Sequence, residues 1–148
     1  IEALQRREAE GLAVSFNSIA LAPPSAPDRV KRVIAAANEI VGTPYIWGGG
    51  HASWHSVGYD CSGAVSYALA GGGFLAAPLA STALESWGAP GPGRWITVYA
   101  NSEHAYAVID GLRWDTVGDA AGSGPRWHPF TANASGLSGF IERHPPGY

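Results

Sequence analysis

The folding options of this chain are limited most by a change of hydrophobic period near its middle. Before it, the apolar residues of two segments, Val30–Val41 and Ala64–Leu69, recur at helical spacing. After the turn-rich Gly88-Ala89-Pro90-Gly91-Pro92-Gly93 they come instead as short β-branched and aromatic runs. These runs are Trp95–Tyr99, Ala105–Ile109 and Leu112–Thr116. The first pattern buries one face of a helix and the second one face of a strand. Asp110-Gly111 between the last two runs is the dipeptide a two-residue hairpin turn prefers. Helices followed by antiparallel strands specify an α+β domain.

Within the helical half, Val30, Val33, Ile34, Ala37, Ile40 and Val41 lie along one face of a helix that Asp28 is expected to cap. Gly42 is placed as its C′ residue, and Thr43-Pro44 prevents continuation. A glycine- and aromatic-rich loop follows from Tyr45 to Asp60. A second helix is predicted from Cys61 to about Ala70, stopped by Gly71-Gly72-Gly73, and a third, short one over Ser81–Trp87. At the amino end, the charged run Glu2–Glu10 is compatible with a short helix, and Pro23-Pro24-Ser25-Ala26-Pro27 reads as an extended connector. Residues 1–27 are therefore expected to be an arm or linker, and 28–148 one domain. Residues 118–137 read as loop, and Phe140–Arg143 as a closing strand. No internal repeat is visible.

A chain of 148 residues with 46% hydrophobic content can build one core without cross-links. The net charge of −3 and the absence of a clustered basic surface argue against a nucleic-acid partner. No run approaches the length needed to span a bilayer. The chain starts at Ile1 and holds no methionine, so it is read as a processed product or an excised domain. A single cysteine excludes an internal disulfide and a multi-thiolate zinc site. His51 and His55 stand four apart, but Gly48-Gly49-Gly50 argues for loop there and no Glu follows His51. The expectation is no metal and no cofactor, with this loop as a wall of a substrate groove.

Asp60-Cys61-Ser62-Gly63 stands at the start of the second helical pattern. There, free N–H groups and the helix dipole lower a thiol pKa and can hold an oxyanion. A buried cysteine that merely begins a helix is the competing reading. A nucleophilic cysteine needs a base, and of five histidines His104 opens the strand Ala105–Ile109, which would fix its ring. The competing reading is a surface histidine at a strand edge. Around a turn centred on Asp110-Gly111, Ile109 faces Leu112 and His104 faces Val117. Alternation then puts Asp115 on the face of His104, where a carboxylate can orient its ring, and Thr116 on the opposite face.

Tyr45-Ile46-Trp47-Gly48-Gly49 followed by Asp60-Cys61-Ser62-Gly63-Ala64-Val65 resembles the NlpC-type cysteine peptidases of bacterial cell walls. The resemblance covers about Asp28 to Thr116. It implies a papain-like α+β fold, with the helix of the catalytic cysteine packed on a small antiparallel sheet. It further implies Cys61 as nucleophile, His104 as base and Asp115 as the orienting residue. Tyr45 and Trp47 would then line the groove, and Asp60 and Ser62 would help hold the free amino end of a stem peptide. The implied partner is the peptidoglycan stem peptide, cut at a γ-D-glutamyl–diamino acid bond by a secreted or wall-associated monomer. This chain departs from the pattern in four places: the loop before Cys61 is longer, Gly91-Pro92-Gly93-Arg94 replaces the family's usual Pro-Gly-Asp-Leu turn before the first core strand, Glu103 precedes His104, and Asp115 stands where the family commonly has His. The alternatives are a non-catalytic wall- or protein-binding module, and an amidase or acyltransferase with the same triad.

Overall fold

The computed structural model describes residues 10–117, 124–129 and 139–148. Nearly all of the charged run Glu2–Glu10 and most of the loop expected over 118–137 lie outside the described residues.

Within the segment expected as an arm, β1 (Val14–Phe16) and β2 (Ile19–Leu21) form a hairpin. Its turn residues Asn17 and Ser18 both have positive φ, the geometry that matches the twist of two joined strands. The hairpin buries Ala13, Val14 and Ala20 and turns Phe16, Ile19 and Leu21 outward. Three hydrogen bonds to one side chain tie down its neighbourhood. Asn38 Oδ1 accepts from the Ala20 and Trp127 N–H groups at 2.9 and 2.8 Å, and its Nδ2 donates to Ala20 O at 2.8 Å.

Helix α1 (Asp28–Ile40) buries Val30, Val33, Ile34, Ala37 and Ile40, as their spacing requires. Asp28 is not its cap. Pro27 holds that position with no side-chain bond, and Asp28 is the first helical residue, where an acid still meets the positive end of the dipole. Gly42 takes the left-handed conformation, φ 85°, that the C′ residue needs. Helix α2 (Cys61–Gly71) is apolar almost all round and lies between α1 and the sheet. At Gly71 a β-carbon would come within 2.2 Å of the Ala36 β-carbon, so the two helices cross closely there. Helix α3 is a single turn, Ser81–Leu84, shorter than expected.

The main sheet has six antiparallel strands: β3 (Ala89–Pro90), β4 (Ile96–Ala100), β5 (Ala105–Ile109), β6 (Leu112–Asp115), β7 (Arg126–Pro129) and β8 (Ile141–His144). Their spatial order is β3-β8-β4-β5-β6-β7. β5 and β6 join through Asp110 (φ 45°) and Gly111 (φ 87°), and Ile109 pairs with Leu112. β7 corrects the expectation of continuous loop, since Arg126-Trp127-His128-Pro129 pairs with β6 as an edge strand. The closing strand starts one residue later than its composition indicates and inserts between β3 and β4. One face of the sheet, including Ile96, Val98, Ala105, Ala107, Ile109 and Trp114, packs on the helices as the core. The strand order thus sets the β5–β6 hairpin beside the start of α2.

Candidate active site

The start of α2 is built by Asp60. As N-cap it accepts from Gly63 N at 2.7 Å through Oδ1, satisfying one of the donors a helix leaves free. Its other oxygen accepts from Gly48 N at 3.2 Å, which couples the Tyr45–Asp60 loop to the helix. The motif glycines have steric reasons. A β-carbon on Gly63 would lie 2.2 Å from Gly49 O, and one on Gly49 2.3 Å from Gly58 O. The loop therefore lies directly on the helix start, with Asp60 N donating to Gly49 O at 3.2 Å.

His104 is held by the β4–β5 turn. Asn101 Oδ1 accepts from the backbone N–H groups of Glu103 and His104, at 2.9 and 2.8 Å. The His104 ring is buried, and its Nε2 meets Asp115 Oδ1 at 2.8 Å. A carboxylate only accepts, so this nitrogen carries the proton and Nδ1 is left for another partner. Asp115 is 1% exposed. Its Oδ1 also accepts from Val117 N at 3.2 Å, and its Oδ2 lies 3.7 Å from Arg113 Nε on the same strand face. The structure thus brings His104 and Asp115 together, as the hairpin register predicted.

Cys61 joins them through packing. Trp114, next to Asp115, donates its indole N–H to Ala64 O in the first turn of α2 at 2.9 Å, across 50 residues of sequence. Burial pushes the Cys61 thiol up, but His104 beside it, the Ala105 N–H and the Ser81 hydroxyl pull it below its ordinary value. Burial likewise pushes His104 down, and the hydrogen bonds and charges of Asp115 and Cys61 outweigh it, raising His104 to about 9. The two shifts together favour a thiolate–imidazolium pair at neutral pH. Ser81 Oγ, 3.8 Å from Cys61 Sγ, has no signal in the sequence that marks it for the site.

A cleft of ≈ 330 Å³ opens over Cys61. Tyr45, Trp47, Asp60 and Ser62, each singled out from the sequence, all line it, as do His51, Ser81 and Glu103. Trp47 is 88% exposed at the rim. Tyr45 is raised by burial and by the charges of Cys61 and Asp60. His51 turns inward, its Nε2 2.9 Å from Asp60 Oδ1 and 3.0 Å from Ser62 Oγ. The reading of this loop as a groove wall pointed to the region, but not to that contact. Among the described residues no group of three or more His, Cys, Asp or Glu is placed to hold a metal. No helix there is long and apolar enough to cross a membrane.

No family model matches the chain. Its similarity to individual proteins is more specific. A probable endopeptidase of Mycobacterium tuberculosis, and its counterpart in Mycobacterium bovis, are 40% identical to it over 87 residues, 54% of this chain and 21% of theirs. The peptidoglycan endopeptidase RipB of M. tuberculosis is 42% identical over 60 residues, 34% of this chain and 25% of its own. The chain therefore spans only about a fifth to a quarter of the curated relatives it matches. The solved structure of the peptidoglycan hydrolase RipB aligns with a TM-score of 0.57 at 27% identity, covering 80% of this chain and 68% of that one. Motif, sequence and fold agree in their similarity to bacterial endopeptidases, a peptidoglycan hydrolase among them.

Proposed function

We propose that the chain is a papain-like cysteine peptidase that hydrolyses amide bonds in peptidoglycan stem peptides. The observation that carries this reading is one arrangement: Cys61 at a helix start in a cleft, with His104 beside it and Asp115 Oδ1 2.8 Å from the His104 ring. The opposed shifts of Cys61 and His104 favour catalysis over a module that only binds, which would have no use for an activated thiol.

In the proposed reaction the Cys61 thiolate attacks the scissile carbonyl carbon. Gly63 N and Ala64 N are occupied by Asp60, leaving the Cys61 and Ser62 N–H groups outside the helix ladder as oxyanion donors. His104 gives its proton to the departing amine as the C–N bond breaks, and an acyl-thioester remains on Cys61. His104, now neutral, takes a proton from water. The resulting hydroxide equivalent attacks the thioester, releasing the carboxylic acid product and restoring the thiolate–imidazolium pair. Asp115 holds the ring oriented throughout. Asp60 and Ser62 hold the free amino end of the peptide, and the bond cut is the γ-D-glutamyl–diamino acid link. Such a substrate lies outside the cell membrane, so the chain acts as a secreted or wall-associated monomer.

Purified stem tetrapeptide incubated with the protein is expected to release a dipeptide bearing a new γ-carboxyl end. Cys61→Ala, or alkylation of Cys61, should abolish that release. Undiminished hydrolysis after either treatment would overturn the proposal.

A further inference from the structure

We propose that His51 is a specificity residue whose proton decides whether Asp60 can hold the cationic amino end of a peptide. The inference rests on the reading of Asp60 and Ser62 as the amine-holding residues and adds to it a residue from the enlarged loop. His104 protonates the leaving amine, so the leaving group lies toward the β4–β5 turn and Glu103. The acyl half of the peptide then lies toward the other wall of the cleft, where His51, Asp60 and Ser62 meet.

Asp60 is already heavily engaged. Its Oδ1 accepts from Gly63 N at 2.7 Å and from Ser62 Oγ at 3.3 Å, and meets His51 Nε2 at 2.9 Å. Its Oδ2 accepts from Gly48 N. Because a carboxylate only accepts, the His51 nitrogen facing it always carries a proton. The state of the other ring nitrogen is what changes. With both protonated, the His51–Asp60 pair is neutral and a positive ring stands in the path of an incoming ammonium. With one protonated, the ring is neutral and Asp60 keeps its negative charge for the ammonium. Protonation of His51 and binding of the amine are therefore mutually exclusive in charge, and each must expel the other.

The other titratable groups facing this corner are Tyr45 on the same loop, Cys61 on α2, Glu103 on the β4–β5 turn and His104 beyond Cys61. Tyr45 is raised above its usual value, and His104 holds its proton to about 9, so neither is the group that changes charge in mildly acid solution. Affinity for a free amine is expected to be higher when the His51 ring carries one proton than when it carries two.

The test uses the Cys61→Ala chain, which binds without turnover. It is titrated calorimetrically with synthetic alanyl-γ-D-glutamyl-lysine and with the same peptide N-acetylated. Each titration is run at about pH 6, in the histidine range, in two buffers of different ionisation enthalpy. The free-amine peptide should bind more tightly than the acetylated one and release a fraction of a proton. Cys61→Ala/His51→Gln should still discriminate but release none. Cys61→Ala/Glu103→Gln should keep the release. Discrimination without proton release, or equal release from the His51→Gln chain, overturns the role of His51 and leaves the amine-binding reading standing. Equal binding of both peptides overturns that reading and the inference with it. Should His51→Gln fail to fold, as thermal unfolding would show, the His51 ring resonances decide in the unmodified loop. Their titration must shift to lower pH on adding the free-amine peptide, and an unmoved titration sinks the proposal.

Discussion

At the scale of single residues, the pair Cys61–His104 makes the most direct predictions. The Cys61 thiol is held below its ordinary value by its neighbours, and the imidazole beside it keeps its proton to about 9. Alkylation of Cys61 by iodoacetamide should therefore stay fast well below pH ~8.5, the free-thiol value. In the proposed reaction, kcat/KM should fall on the alkaline side near 9, as His104 loses the proton the leaving amine needs. Replacing His104 with Ala removes the largest of the influences that lower the thiol and leaves only the Ala105 N–H and the Ser81 hydroxyl to oppose burial. Alkylation at neutral pH should then slow by roughly tenfold or more, the effect of one pKa unit. His104 also links stability to pH. Its folded pKa lies above the unfolded value of about 6.5, so its contribution is complete below that pH and is lost as pH rises through about 9. Asp115 should separate orientation from charge. Asp115→Asn keeps the shape but weakens its hold on the ring, and turnover should drop by roughly 10²–10⁴ in kcat. Asp115→Ala in addition removes a buried partner of Arg113 and should cost about 3 kcal/mol in urea unfolding.

Elements explain why the motif residues sit where they do. Asp60 caps α2, so Asp60→Ala should cost about 1 kcal/mol through the lost cap. Asp60→Asn keeps an acceptor for Gly63 N and should keep more of that stability, while removing the charge offered to a peptide amine. Gly63→Ala tests the loop-on-helix contact. The new β-carbon would lie 2.2 Å from Gly49 O, and neither backbone can yield without opening the cleft wall, so a loss of roughly 1–3 kcal/mol is expected. Helix α1 shows the limit of capping rules applied to a sequence. Asp28 has the right chemistry for a cap, but Pro27, already extended at φ −58° and ψ 151°, takes the position one residue earlier. β7 shows a different limit. Arg126-Trp127-His128-Pro129 carries too short an alternation to stand out among Gly, Ser and Pro residues, and becomes a strand because β6 offers it an unpaired edge.

For the whole molecule, two side chains join distant parts. Asn38 holds β2 and β7 from α1 by three hydrogen bonds, so Asn38→Ala should cost about 2–3 kcal/mol in a single unfolding transition. A separate, earlier transition of the hairpin would show that residues 13–26 are not part of the same cooperative unit. Trp114 joins the strand of Asp115 to the helix of Cys61 through Ala64 O. This division of labour separates what was legible in the sequence from what was not. Local periodicity and turn chemistry act over a few residues. They were enough to place Cys61 at a helix start, to set the Asp110-Gly111 hairpin, and to put His104 and Asp115 on one face. How α2 lies against that hairpin depends on contacts between residues tens of positions apart, which no local pattern encodes. The approach of Cys61 to His104, the nearness of Ser81 and the turning of His51 onto Asp60 were therefore decided only when the helices packed on the sheet.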